Sequence, residues 1–369
     1  MTWSVERRAD GVTVTNPDEN IDTLLGWRWL RDHGEDPASY NHETRQRRVD
    51  ALGDAPAPAD HASLTEVDGR PVLALGWPGG LEPTYITLDT IATVLADRPS
   101  ALARPWRRGD EVELTVETVD AVLEDDAALT TWLADLATWG VARLRGFDGS
   151  RDRAQRLADR IGYVRTTIFG GLWDLASDVD THDDTAYTQT FLAPHTDGTY
   201  SHDAPGLQMF CCTHRTGTGG ESVIVDGMGI ALDLEQQHPD CFDVLTSVPV
   251  PAHYVEAGVE LRASRPALRV DPATGRLLQI SLNNYDRSPM WLPPDEMAAF
   301  YEAYGALQRM ADDHNRWLSI RLEAGDVLIN DNWRVLHGRQ AYAGERRFVG
   351  CYLNHEDFES RCRTLGIAR

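Results

Sequence analysis

The chain has 369 residues, 42% of them hydrophobic, which is enough for a sizeable core and exceeds the length of an average single domain. Its 58 acidic residues against 35 basic ones give a formal net charge of −23, which argues against nucleic acid or anionic membrane as partner, since both need basic patches. Every basic residue is an arginine, so Schiff-base chemistry on a lysine is excluded.

Residues 1–100 read as a small N-terminal β domain, with short strands in VTVTN, PVLALGW and TYITL separated by Gly, Pro and Asp turns. Between them LLGWRWLRDHGEDPASYNHETRQRR is polar and irregular in its middle, and DRPSALARPWRRGDE reads as a linker. The second domain, 101–369, opens with DDAALTTWLADLATWG, whose period predicts a helix with Leu129, Leu133 and Leu136 on one face and Gly140 as its stop. A strand in VARLRGF and a helix in RDRAQRLADRIG follow. From about Tyr187 to Leu353 the pattern is many short strands, interrupted by one helix near PPDEMAAFYEAYGALQRMADD. The fold class expected is mainly β with flanking helices: a double-stranded β-helix, or jelly roll, with helices outside it.

The five cysteines, Cys211, Cys212, Cys241, Cys351 and Cys362, are odd in number and lack CxxC spacing, so reduced thiols are expected rather than disulfides or a zinc knuckle. With no apolar signal core at the start and no run of membrane-spanning length, the expected location is cytoplasmic.

The stretch AYTQTFLAPHTDGTY places His195 and Asp197 two residues apart, on one face if the segment is a strand. A second histidine, His337, is available in DVLINDNWRVLHGRQAY. Two histidines and a carboxylate leave coordination positions open, as in non-haem Fe(II) oxygenases. Taken alone, a His-x-Asp pair is more often a hydrogen-bonded surface pair; its company decides.

That company is DTAYT, HTDGTY, GTGGESVIVDG, NNYDR, DNWRVLHGR and GCYL, in this order over about 170 residues, with WLRDH and YNHETRQR near the start. Together these resemble the 2-oxoglutarate-dependent trimethyllysine hydroxylase and γ-butyrobetaine hydroxylase family, the trimethyllysine branch most of all. The resemblance implies Fe(II) held by His195, Asp197 and His337, with 2-oxoglutarate and O2 as cosubstrates and ascorbate as an assisting reductant. Arg346 and Ser222 would take the distal carboxylate of 2-oxoglutarate, a task suited to a bidentate guanidinium. Arg347 would face the other way on an extended segment. For the trimethylammonium group the family uses an aromatic cage. The resemblance marks Phe169, Trp173 and Tyr187 for it, with Tyr200 added by proximity; Phe169 and Trp173 share one side if their stretch is helical. Asp184 matches an acid that meets a substrate α-amino group, while Asn283, Asn284, Tyr285 and Arg287 of NNYDR are candidates for an anionic far end.

The family's N-terminal domain carries a zinc held by three cysteines and a histidine. Here that stretch has no cysteine and Leu81 replaces the histidine in WPGGL, so no zinc is expected, and the small domain would lean on the catalytic domain or on a second subunit in a homodimer. The function implied is hydroxylation of a C–H of a small quaternary ammonium compound, N6-trimethyllysine first, with 2-(trimethylammonio)ethylphosphonate or γ-butyrobetaine as alternatives and desaturation or rearrangement as alternative outcomes. The remaining reading, an inactive jelly-roll binding module, sits poorly with an intact triad and Arg346.

Overall fold

Side chains on the strand Leu207–Arg215 alternate: Leu207, Met209 and Cys211 enter an apolar cluster, whereas Gln208 and Phe210 point into a cavity. Its neighbour Arg346–Leu353 repeats the pattern, with Val349, Cys351 and Leu353 in the cluster and Arg346, Phe348 and Tyr352 on the cavity side. On a facing sheet, Val223, Val225 and Leu336 enter a second cluster while Ser222, His337 and Arg339 line the same cavity. Period-two alternation on both walls makes this the inside of a jelly roll.

The computed structural model describes residues 2–49, 53, 56–95, 102–176 and 188–367, which group into two compact units, Met1–Pro99 and Ser100–Arg369. In the larger unit one sheet runs Val164–Arg165, Arg346–Leu353, Leu207–Arg215, Val327–Asp331, Val141–Arg145, Glu117–Thr118, with Trp173–Ala176 also paired to Arg346–Leu353. The facing sheet runs Leu192–His195, Val335–Arg339, Ser222–Asp226, Leu318–Ile320.

Helices cover the outer face of each sheet. Asp126–Trp139, Arg151–Asp159 and His355–Thr364 bury Leu129, Trp132, Leu133, Leu136, Leu157 and Phe358 against the first. The leading helix is capped by the Asp125 carboxylate, which accepts from Ala127 N at 2.9 Å, and stops at Gly140, whose φ of 77° is left-handed. Pro294–Asp312 and Gly227–Gln237 bury Phe300, Leu307, Ile230 and Leu234 against the second.

The helices Gly227–Gln237 and Pro239–Ser247 correct the expectation of a single helix in this region. Gly227 and Gly229 serve close packing: a Cβ would fall 2.6 Å from the Arg334 carbonyl oxygen at Gly227 and 2.1 Å from the Trp106 carbonyl oxygen at Gly229. In the supposed linker, the described residue Trp106 is part of the core. Trp106 is buried, its N–H donating to Asp226 Oδ2 at 2.9 Å and its indole N–H to the Trp139 carbonyl at 3.0 Å. Arg334, from DNWR, is buried beside it, pairing with Asp226 and donating to the Arg104 and Thr138 carbonyls.

The smaller unit contains the sheets Ser4–Arg7/Gly11–Asn16/Ile21–Gly26 and His61–Val67/Arg70–Gly76/Thr84–Thr87 around Val12, Val14, Leu30, Leu73 and Ile86. Trp27–Asp32 is a short helix, and the loop after it is closed by side chains: Asp36 accepts from Ser39 N at 3.0 Å, His33 Nδ1 donates to the Trp29 carbonyl at 2.8 Å, and Arg47 pairs with Asp32. Among the described residues no helix is long and apolar enough to cross a membrane.

Candidate active site

His195 ends its strand directly opposite His337, the two rings 4.5 Å apart across an antiparallel pair. Asp197 is not on that strand. It lies in the following turn, so the expected strand geometry for His-x-Asp is replaced by a clamp: Asp197 N–H donates to Asn332 Oδ1 at 2.8 Å, and Asn332 Nδ2 donates to the Asp197 carbonyl at 3.1 Å. The carboxylate then meets both histidines, Oδ1 standing 3.4 Å from His195 Nε2 and 3.5 Å from His337 Nε2.

These three ligand atoms lie within 4.8 Å of one another, and their chemistry fits a metal ion. His195 Nδ1 is 2.8 Å from the Ala193 carbonyl, which only accepts, so the proton is on Nδ1 and the Nε2 lone pair faces a carboxylate. That approach requires a cation between Nε2 and the carboxylate, either a proton on the ring or a metal ion. Asp197 Oδ2 is already engaged by the Tyr352 hydroxyl at 2.8 Å and by the Gln208 amide, which leaves Oδ1 as the ligating oxygen. Burial would raise the Asp197 carboxyl, but the His337 and His195 rings outweigh it and hold it well below the usual range. Burial first, and then Asp197, push the Tyr352 phenol well above its ordinary value, so it is a neutral donor.

Arg346 lines the same cavity and is buried, its Nε without a hydrogen-bond partner, its guanidinium 4.8 Å from the Phe348 ring centre and 5.2 Å from that of Tyr342. Burial, and then the charges of Arg339 and Arg215, lower it to about 10. A buried cation with like charges beside it requires an anion, and a planar carboxylate matches a guanidinium fork. Ser222 lines the same cavity.

Aromatic rings form another wall. Trp173 pairs with Gly350 and lies 5.5 Å from both Phe210 and Tyr352, ring centre to ring centre. Phe169 and Tyr200 each approach Tyr254, at 6.2 and 5.1 Å. The 167–173 stretch is not helical: Thr167 and Gly170 exchange 2.9 Å backbone bonds in a turn, and Trp173 begins a strand. Phe169 and Trp173 both line the cavity through that turn instead of through helical spacing.

Comparison with known proteins then decides the family. The family model "Taurine catabolism dioxygenase TauD, TfdA family" matches residues 101–352. The chain belongs to the TauD/TfdA dioxygenase family. It is similar to the mitochondrial trimethyllysine dioxygenase of Gallus gallus, 33% identical over 359 residues, covering 94% of this chain and 85% of that protein. It is also similar to the γ-butyrobetaine dioxygenase of Pseudomonas sp. strain AK-1, 31% identical over 366 residues, covering 97% and 94%. A solved asparagine oxygenase, in complex with Fe(II), 3-hydroxyasparagine and succinate, shares the fold at a TM-score of 0.50 and 18% identity, covering 64% of this chain and 83% of that one. The enzyme is an Fe(II)- and 2-oxoglutarate-dependent oxygenase with a His-Asp-His iron site.

In this dioxygenase the remaining sequence candidates are divided. Tyr200 and Asn283 line the cavity, but Asn284 and Arg287 are not among its lining residues. Asn284 donates to Gln308 on the helix Pro294–Asp312 at 2.7 Å, and the Arg287 guanidinium lies over Tyr304 at 5.4 Å. Asp184 and Tyr187 fall outside the described residues. Sequence reasoning missed Gln208, Phe210, Tyr352, Arg339, Asp286 and Asn332. For Arg339 and Tyr352 a signal existed: they stand two residues after His337 and six after Arg346, on the same strand faces.

Proposed function

We propose that this dioxygenase hydroxylates a C–H bond of a quaternary trimethylammonium compound, with N6-trimethyllysine as the preferred substrate. The observation that carries the reading is one cavity holding the triad His195, Asp197 and His337, the buried Arg346 and the rings of Phe169, Trp173 and Tyr352. The names of the relatives, trimethyllysine dioxygenase and γ-butyrobetaine dioxygenase, support it.

In this reading His195 Nε2, His337 Nε2 and Asp197 Oδ1 hold the iron, which with O2 and 2-oxoglutarate supplies the oxidising power for an unactivated C–H bond. Arg346 binds the distal carboxylate of 2-oxoglutarate and the Ser222 hydroxyl adds a donor. A trimethylammonium group offers no hydrogen-bond donor, so ring faces are the practical way to hold it. Tyr352 has two tasks here. Its hydroxyl holds Asp197, and its ring stands beside Trp173, so the wall that seats the cation is tied to an iron ligand. That link would hold the seat of the cation at a set distance from the three ligands. The smaller unit is taken as a zinc-free accessory domain, and the five free cysteines support a reducing, cytoplasmic setting.

The test is succinate release under Fe(II) and 2-oxoglutarate with N6-trimethyllysine, γ-butyrobetaine, 2-(trimethylammonio)ethylphosphonate and unmodified lysine. Trimethyllysine should be turned over fastest. Equal turnover of lysine would remove the aromatic site from the argument and the substrate class with it.

A further inference from the structure

The NNYDR segment carries a charge opposite to the one its arginine and amides lead one to expect. The Asn283 amide is consumed internally: Nδ2 donates to the Thr196 carbonyl at 3.3 Å and to Asp286 Oδ2 at 2.9 Å, and Oδ1 accepts from Tyr285 N at 2.9 Å. Asn284 and Arg287 are directed to Gln308 and Tyr304. The charged side chain that this segment does contribute to the cavity lining is Asp286, an acid.

Asp286 is held from two directions. Thr199 Oγ1, from the turn that follows Asp197, donates to Asp286 Oδ2 at 2.9 Å, and Asn283 donates to the same oxygen. The segment itself is fastened to the metal-binding turn, Thr196 N donating to the Leu282 carbonyl at 2.8 Å and Leu282 N to Thr196 Oγ1 at 3.1 Å. Two donors on one oxygen favour the ionised carboxylate and fix its direction. A partly buried carboxylate in a cavity wall attracts an ammonium and repels a phosphonate or carboxylate.

We propose that Asp286, in addition to Asp184, which the resemblance marks for the same group, is a specificity-determining residue for the second cation of the substrate: it receives the α-ammonium of a trimethylated amino acid and so selects that class over trimethylammonium compounds whose other end is only anionic. The inference rests on the trimethylammonium reading above and names the feature that divides its candidates. Asn283 and Thr199 are then positioning residues, which act through Asp286.

The experiment compares two ligands that differ only in the α-ammonium, N6-trimethyllysine and 6-(trimethylammonio)hexanoate. Each is titrated calorimetrically into protein loaded with Mn(II) and 2-oxoglutarate, so that binding is read without turnover. A charge-assisted hydrogen bond at this site should give the unaltered protein a preference for trimethyllysine of about tenfold or more, and Asp286→Asn, which keeps an acceptor for Thr199, should reduce that preference to about twofold or less. An unchanged preference in Asp286→Asn overturns the assignment. So does a parallel loss of both ligands, which would place the carboxylate at the quaternary end or in the scaffold alone. If the unaltered protein binds neither ligand, the trimethylammonium reading itself fails and takes this one with it, whereas failure of the Asp286 assignment alone leaves trimethyllysine binding intact in the unaltered protein.

Discussion

Asn332 grips Asp197 by its main chain at both ends, accepting from the N–H at 2.8 Å and donating to the carbonyl at 3.1 Å. Its amide nitrogen also reaches the Pro205 carbonyl at 2.8 Å, so the turn that carries Asp197 is closed around a single side chain. The strand pairing that places the neighbouring histidine has ended at His195, and the backbone of Asp197 depends on this clamp. Asn332→Ala should therefore weaken Mn(II) or Fe(II) binding by about 10- to 100-fold, the usual effect of losing a residue that orients a metal ligand. Anaerobic titration with far-UV circular dichroism as a fold control checks this. An affinity close to that of the unaltered protein would mean that Gln208 and Tyr352 orient the carboxylate unaided.

Arg346 is the next point of leverage. Its guanidinium is buried between the Tyr342 and Phe348 rings, beside Arg339 and Arg215. Removing one partner of a buried charge-assisted pair costs about 2–5 kcal/mol, so Arg346→Ala should reduce 2-oxoglutarate affinity by well over tenfold. Arg346→Lys should recover only part of it, because an ammonium cannot form the bidentate fork. If 2-oxoglutarate bound Arg346→Ala as before, Arg339, which lines the same cavity, would be the carboxylate receptor.

These two residues show what a sequence can and cannot convey. Arg346 was marked by the family resemblance, and only the choice between it and Arg347 rested on a strand keeping its faces: Arg346 lines the cavity and Arg347 does not. The helix over Asp126–Trp139 was legible for the same kind of reason, its apolar period ending at Gly140. Asn332 was not, since its partner is 135 residues away and no local pattern announces the bond. Phe169 and Trp173, marked by the resemblance, share the cavity by way of a turn and a strand, and the helical spacing between them was the wrong local structure. In NNYDR the backbone is irregular, period arguments lapse, and Asn284 and Arg287 face elsewhere while Asp286 faces the cavity. The helix Gly227–Gln237 opens with two glycines, poor helix formers whose presence answers to backbone crowding from Arg334 and Trp106, contacts that no local pattern announces.

Gly350 offers a test of the aromatic wall that deletes none of its rings. A Cβ there would lie 2.1 Å from the Trp173 ring, so Gly350→Ala must push that indole from its position between Phe210 and Tyr352. Affinity for trimethyllysine should fall by about tenfold, comparable to Trp173→Ala, because a desolvated cation on a ring face is worth roughly 2 kcal/mol. Some stability should also be lost, about 1–3 kcal/mol as in other overpacked cores. Stability loss without any loss of ligand affinity would assign Trp173 to the core alone.

The last prediction concerns stability away from the cavity. Asp135, on the helix Asp126–Trp139, is half buried, and burial pushes its carboxyl up from 3.8 to about 6 even though Thr115 N–H donates to it at 2.6 Å. Its folded value lies above its unfolded one, so the folded state holds the proton more tightly. Stability from this group is fully present below the unfolded value and is lost as pH rises through the folded one. At neutral pH the native state therefore carries a charge that the unfolded chain accommodates better. Asp135→Asn, which keeps an oxygen for Thr115, should stabilise the protein at pH 8 and be nearly neutral at pH 4. The full shift would correspond to about 3 kcal/mol. With half the group in contact with solvent, about 1 kcal/mol is expected. Urea unfolding of metal-free protein at the two pH values measures the difference directly. A stabilisation of the same size at both would trace the effect to packing or propensity, and the Asp135 charge would carry no cost to the fold.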